Sequence, residues 1–158
     1  MAERLVINTG PLVVLGRAAL LEVVGQLPLT FVCPEAVREE IAAGVDKGYP
    51  DVSPTWLETV ELAAPIHPVA LAALDRGEAA VIQLALEQRI GRVCIDERKG
   101  RRAALAVGLE VTGVLGLLAR AKTLGIIEAL RPCLAPLLRS GAYYDEELIR
   151  RVLEGVGE

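Results

Sequence analysis

Aromatic side chains are almost missing from this 158-residue chain: one Trp, one Phe and three Tyr make up 3% of it, against 53% hydrophobic residues overall. The core must therefore be aliphatic, and hydrophobicity at that level excludes a disordered chain. Histidine is reduced to His67, between prolines, so a histidine general base is not expected. Cys33, Cys94 and Cys133 are odd in number and widely spaced, which excludes a disulfide framework or a zinc pattern. Cys33 and Cys94 lie in apolar runs and read as reduced core thiols. No charge sign dominates: the net charge is −4, so any hold on nucleic acid must come from a local basic patch. The longest apolar stretch, residues 105–119, is broken by Glu110 and three glycines and is too short to cross a bilayer. The opening MAERLVINTG lacks the apolar run of a signal peptide. A cytoplasmic protein without membrane contact is the expectation. There is also no GxGxxG or GxxxxGK loop, which argues against a small-ligand or phosphoacceptor α/β domain.

What is present is alternation. A chain of this length suits one domain, here 1–158, with 142–155 as a C-terminal helical tail. Short β-rich runs at 5–7, 29–33, 92–95 and 109–112 alternate with helical patterns at 12–24, 34–44, 69–73, 79–87, 98–107 and 114–124. A further short strand is expected within 56–62, a loop or flap over 44–54, and an amphipathic helix at 145–153. No element is assigned between Leu124 and Asp145. The pattern predicts a mostly parallel sheet covered on both faces, an α/β/α sandwich. In the tail, Leu148, Ile149, Val152 and Leu153 form an apolar stripe that either docks on the domain or meets a partner.

Sites in open parallel sheets form beyond the carboxyl ends of the strands. Asn8 and Asp96 occupy such ends, although each also suits a helix cap. On the helix after Pro34, Val37 and Ile41 mark the buried stripe; Glu39 falls opposite it, and Glu40 within about 80° of its centre. Such an acid needs a partner, which a salt bridge would equally supply. Asp75-x-x-Glu78 has the form of a capping box, yet Ile82 and Ala85 continue the face that carries Glu78. Acids drawn together repel one another, and a bound Mg²⁺ or Mn²⁺, which takes oxygen ligands, relieves that repulsion. Arg98, Lys99, Arg101 and Arg102 follow Asp96 directly and suit an RNA backbone, or else form a solvated helix face. Tyr143 and Tyr144 suit either packing or base stacking.

Four stretches resemble the motifs of the PIN-domain family, in that family's order: 6–12 (VINTGPL), 34–41 (PEAVREEI), 74–82 (LDRGEAAVI) and 95–103 (IDERKGRRA). The resemblance covers residues 5–122, and its last part, 113–122, looks like one uncharacterised PIN-like branch. It implies a three-layer sandwich around a parallel sheet and Mg²⁺- or Mn²⁺-dependent ribonuclease activity. It also implies a homodimer and, for many bacterial members, the toxin role in a toxin–antitoxin pair. Carried over by position, Glu40, Glu78 and Asp96 are the expected catalytic acids, and Asn8, Glu40, Glu78 and Asp96 the expected metal ligands. Asn8 departs from the family's usual Asp: it offers a carbonyl oxygen but no charge. Glu97 is a partial substitute. The alternative to a nuclease is therefore a PIN-like module that binds nucleic acid or a partner without cutting.

Overall fold

The computed structural model describes residues 3–158. Its chain order is β1 (Glu3–Ile7), α1 (Thr9–Arg17), α2 (Leu21–Gly25), β2 (Leu29–Cys33), α3 (Glu35–Asp46), β3 (Leu57–Thr59), α4 (Pro68–Ala73), α5 (Arg76–Glu87), β4 (Arg92–Cys94), α6 (Arg98–Ala106), β5 (Glu110–Thr112), α7 (Val114–Thr123), α8 (Arg131–Arg139) and α9 (Glu146–Gly155). The five strands form one parallel sheet in the order β3-β2-β1-β4-β5. Leu5, Val6 and Ile7 are fully buried, as a central strand covered on both faces requires. Helices α5 and α6 pack together, and α1, α2 and α7 form a second group, completing the three-layer α/β/α sandwich.

The chain runs outward from β1 through β2 to β3, then returns to lay β4 on the other side of β1. The strand order thus reverses between β1 and β4, where open sheets gather ligands. Asn8 follows β1 and Asp96 lies just beyond β4, so both stand at this crevice.

Two expectations are corrected. The helix expected over 12–24 is two helices, because α1 ends in a Schellman closure: the amide of Leu20 donates to the carbonyl of Leu15 at 2.8 Å and that of Ala19 to Gly16 at 3.2 Å. Ala19 takes the left-handed φ of 58° that Gly normally supplies, so the stop carries no Gly signal. Helix α8 fills part of the stretch left without an element, despite Pro136 inside it. Burial of Leu130, Cys133 and Leu137 holds it, and the Glu158 carboxylate caps its start by accepting from the amides of Leu130 and Arg131 at 2.5 and 3.0 Å. The apolar stripe of α9 mainly docks on its own domain: Leu153 is buried, Ile149 and Val152 pack against the core, and Leu148 is left exposed.

Candidate metal centre

Asn8 emerges from the buried β1 into the crevice with 8% exposure. Its side chain makes no capping bond to α1, and its Oδ1 is buried without a hydrogen-bond partner. The ordinary cap reading therefore fails for Asn8. A buried acceptor left unsatisfied is costly and calls for an explanation such as a bound ion or water.

Glu78 serves two purposes at once. The capping box is complete: the Glu78 amide donates to Asp75 Oδ1 at 2.7 Å, and the Asp75 amide donates to Glu78 Oε1 at 3.2 Å. That bond uses Oε1. The residue is 3% exposed, and Oε2 is buried with no partner. Burial foremost, and then the charges of Asp75 and Glu97, push its carboxyl above the ordinary range, against the bond from the Asp75 amide. One oxygen holds the helix end while the other is left for something else.

Glu40 projects from the edge of α3's buried stripe, as its angle predicts, and its carboxylate lies against Gly77 at the start of α5. Burial raises its pKa; the Thr9 hydroxyl beside it lowers it, although no bond of normal geometry closes between them, and the Asp75 charge raises it. Its neighbour Glu39 faces solvent and pairs with Arg76.

Asp96 does not cap α6, the helix that follows it. Its Oδ1 accepts instead from the amide of Val114 at 3.1 Å, the first residue of α7. Burial raises its pKa, opposed by that amide and by Arg101. Arg101 is turned inward, donating to the carbonyl of Ile95 at 2.8 Å, whereas Arg98, Lys99 and Arg102 stay exposed. The basic cluster is therefore split: three solvated cations and one that steadies the Asp96 loop. The tail contributes Tyr144, whose buried hydroxyl has no partner; burial first, then Asp96 and Cys94, drive its pKa far up. Tyr143 is exposed.

Glycines make room for these acids. A Cβ on Gly77 would stand 2.2 Å from Glu40 Oε1, one on Gly100 2.7 Å from Glu78 Oε2, and one on Gly113 2.7 Å from Asp96 Oδ1. Three chain segments thus approach three carboxylates more closely than any side chain permits.

The tightest convergence differs from the expected set. Asp75, Glu78 and Glu97 bring one oxygen each to within 4.8 Å of one another, and among the described residues neither Glu40 nor Asp96 joins a triad that tight. Asp75 reads from sequence only as a cap; the usable signal is that a cap and its third residue share one helix face. Glu97 points toward Asp75 and Glu78 rather than along with Asp96, as expected of adjacent residues. All these donors are oxygens, three of them carboxylates in close reach, and one of these, Glu78, keeps a buried oxygen without a partner. Such a set fits a hard divalent ion of the Mg²⁺ or Mn²⁺ kind.

Comparison with known proteins places one family on this chain: residues 4–158 match the model DUF3368, described as a PIN domain. No curated protein and no solved structure matches.

Proposed function

Because the chain belongs to the PIN-domain family, we propose that it is a single-domain, divalent-metal-dependent endoribonuclease acting at the crevice between β1 and β4. The observation that carries this reading is the buried, unpartnered Glu78 Oε2 among further carboxylates, together with the orphaned Asn8 Oδ1. Glu78, Asp75 and Glu97 would hold the ion, with Asn8, Glu40 and Asp96 bordering it. When bound, Mg²⁺ or Mn²⁺ supplies Lewis-acid stabilisation of a phosphate and acidifies a water.

The chain's own residues do the rest. The bond from Val114 holds Asp96 in place, with Arg101 against the same loop. Glu40, whose carboxyl burial raises above its ordinary range, is placed to take up or give a proton beside the ion. Arg98, Lys99 and Arg102 stand on the exposed face of α6, where they can take up RNA phosphates on an otherwise acidic protein. A cytoplasmic location, a homodimer and an antitoxin partner are proposed on family membership; the described residues include no helix long and apolar enough to cross a membrane.

The test is cleavage of a mixed-sequence single-stranded RNA with Mn²⁺, with Glu78→Gln purified identically to expose contaminating nuclease. Activity that needs Mn²⁺ and disappears in the variant supports the proposal. Equal cleavage by both proteins, or none by either, sinks it. RNA binding without cleavage favours the second reading, a binding module weakened at Asn8.

A further inference from the structure

We propose that the cavity beside Glu40 is a nucleobase subsite, seating one base of a single-stranded RNA against the Arg17–Tyr49 pair; this rests on the nuclease function proposed above. The cavity holds about 360 Å³ and lies between α1, α3 and the segment that follows α3. That volume falls within the range of small-molecule sites, roughly 300–1,000 Å³. Thr9 and Glu40 line it, and both also border the acid cluster, so cavity and metal centre share a wall.

Its lining is apolar at depth, with Ile41 and Val52, and cationic at its edge, with Arg17 and Lys47. Among the described residues neither cation is in an ion pair. Arg17 lies over the Tyr49 ring at 5.4 Å and makes a long 3.4 Å bond to the Ser140 carbonyl. Tyr49 remains 54% exposed. Exposed aromatic rings and guanidinium planes are the surfaces on which unstacked bases sit. A flat apolar ring system bearing an anionic phosphate matches this combination of depth, stacking surface and charge. A purely apolar protein segment would leave Arg17 and Lys47 without counterparts. The shared wall places the phosphate next to the seated base within reach of the acids.

The experiment measures binding of end-labelled oligoadenylate and oligouridylate by fluorescence anisotropy in EDTA, so that no cleavage intervenes. Wild type, Tyr49→Ala, Tyr49→Phe and Arg17→Gln are compared, with melting temperature as the folding control. Tyr49→Ala is expected to weaken binding about tenfold or more, as loss of one base stack does, while Tyr49→Phe stays near wild type. Arg17→Gln weakens binding and flattens its salt dependence. Absence of wild-type binding overturns the subsite. So does binding that ignores both Tyr49→Ala and Arg17→Gln, and the cavity would then be left to an apolar protein segment. The nuclease reading is judged separately by Mn²⁺-dependent cleavage: wild type that binds through Tyr49 yet cuts nothing keeps the subsite and removes the nuclease.

Discussion

Replacing Glu78 with Gln should make the metal-free protein more stable and the metal-treated protein insensitive to its ion. The amide oxygen can keep the bond from the Asp75 amide, so the capping box survives. At the Oε2 position an NH₂ group replaces an unpartnered, buried, charged oxygen. Two like charges about 5 Å apart repel by about 3 kcal/mol at an effective dielectric of roughly 20. Asp75 and Glu97 are exposed, however, and solvent screening cuts this to about 1 kcal/mol or less per pair. Over the two pairs, with Asp75 and with Glu97, a net gain of about 1–2 kcal/mol is expected. For a chain of this size that raises the melting temperature by about 2–8 °C. Wild type with Mn²⁺ at a hundredfold its dissociation constant gains about 2.7 kcal/mol. Thermal melts of both proteins, each in EDTA and in Mn²⁺ at pH 7.5, measure all four states. A variant that melts below wild type in EDTA, or that keeps the wild-type Mn²⁺ shift, refutes the assignment of Glu78 Oε2 to an ion.

Asn8→Asp adds a charge where the buried Oδ1 has no partner, so Mn²⁺ should bind more tightly and the metal-free protein melt lower; titration calorimetry and a melt check the pair, and no change in either would return Asn8 to a packing role. Glu40, Glu78 and Asp96 all have folded pKa values raised above their ordinary 4.5, 4.5 and 3.8. Their contribution to stability is therefore complete below those ordinary values and is lost as pH rises through the raised ones. Glu158, lowered by the bonds at the start of α8, acts in the opposite sense at low pH, so the difference between wild type and Glu78→Gln across pH isolates the site. That difference should widen as pH rises above about 4.5, and the Mn²⁺ shift of wild type should grow over the same window. Converting Arg98, Lys99 and Arg102 to Gln should weaken RNA binding and lower its salt slope by about one unit or less per lost contact, whereas Arg101→Gln should instead lower the melting temperature by freeing the Asp96 loop.

Much of this was legible because it depends on short-range periodicity. Strand ends give Asn8 and Asp96, and the 100° helical step gives Glu40 apart from Glu39. Strand alternation with helices gives the parallel sheet, whereas the strand order that sets the crevice between β1 and β4 comes only from the structure. Features settled by contacts distant in sequence were not legible. Ala19 closes α1 with a left-handed φ of 58° and no glycine to announce it. Helix α8 persists around Pro136 because tertiary burial outweighs one lost backbone bond. The inward turn of Arg101, the convergence of Glu97 on Asp75 and the approach of Tyr144 to Asp96 depend on how segments meet, and no local spacing encodes them. For Glu78, cap and site appear in the sequence as rivals, whereas a carboxylate has two oxygens and can satisfy both.

The concentration of acids at one crevice also needs a reason to survive folding without an ion. Helix N-termini supply it. Asp75 and Glu78 sit at the start of α5, whose second residue, Gly77, lies against Glu40; Glu97 is the N-cap of α6, and Asp96 accepts from the first amide of α7. Each helix start presents free amides and the positive end of a dipole, worth about 0.3–1 kcal/mol to a nearby anion. Three such ends facing five carboxylates offset part of the repulsion, beside the solvent screening that holds the gain from removing the Glu78 charge to about 1–2 kcal/mol. Asn8 fits the same balance. Asn8 stands at the start of α1, but its side chain accepts from none of that helix's first amides, and its own backbone amide donates to the Cys94 carbonyl at 3.1 Å. A carboxylate at position 8 would draw its compensation from the start of α1 and from the ion. With Asn there, the negative charge shifts from the sheet toward the starts of α5 and α6, where Asp75 and Glu97 meet Glu78. A centre so displaced would keep an ion while asking less of β1, and that makes Asn8 compatible with a working site rather than proof of a dead one.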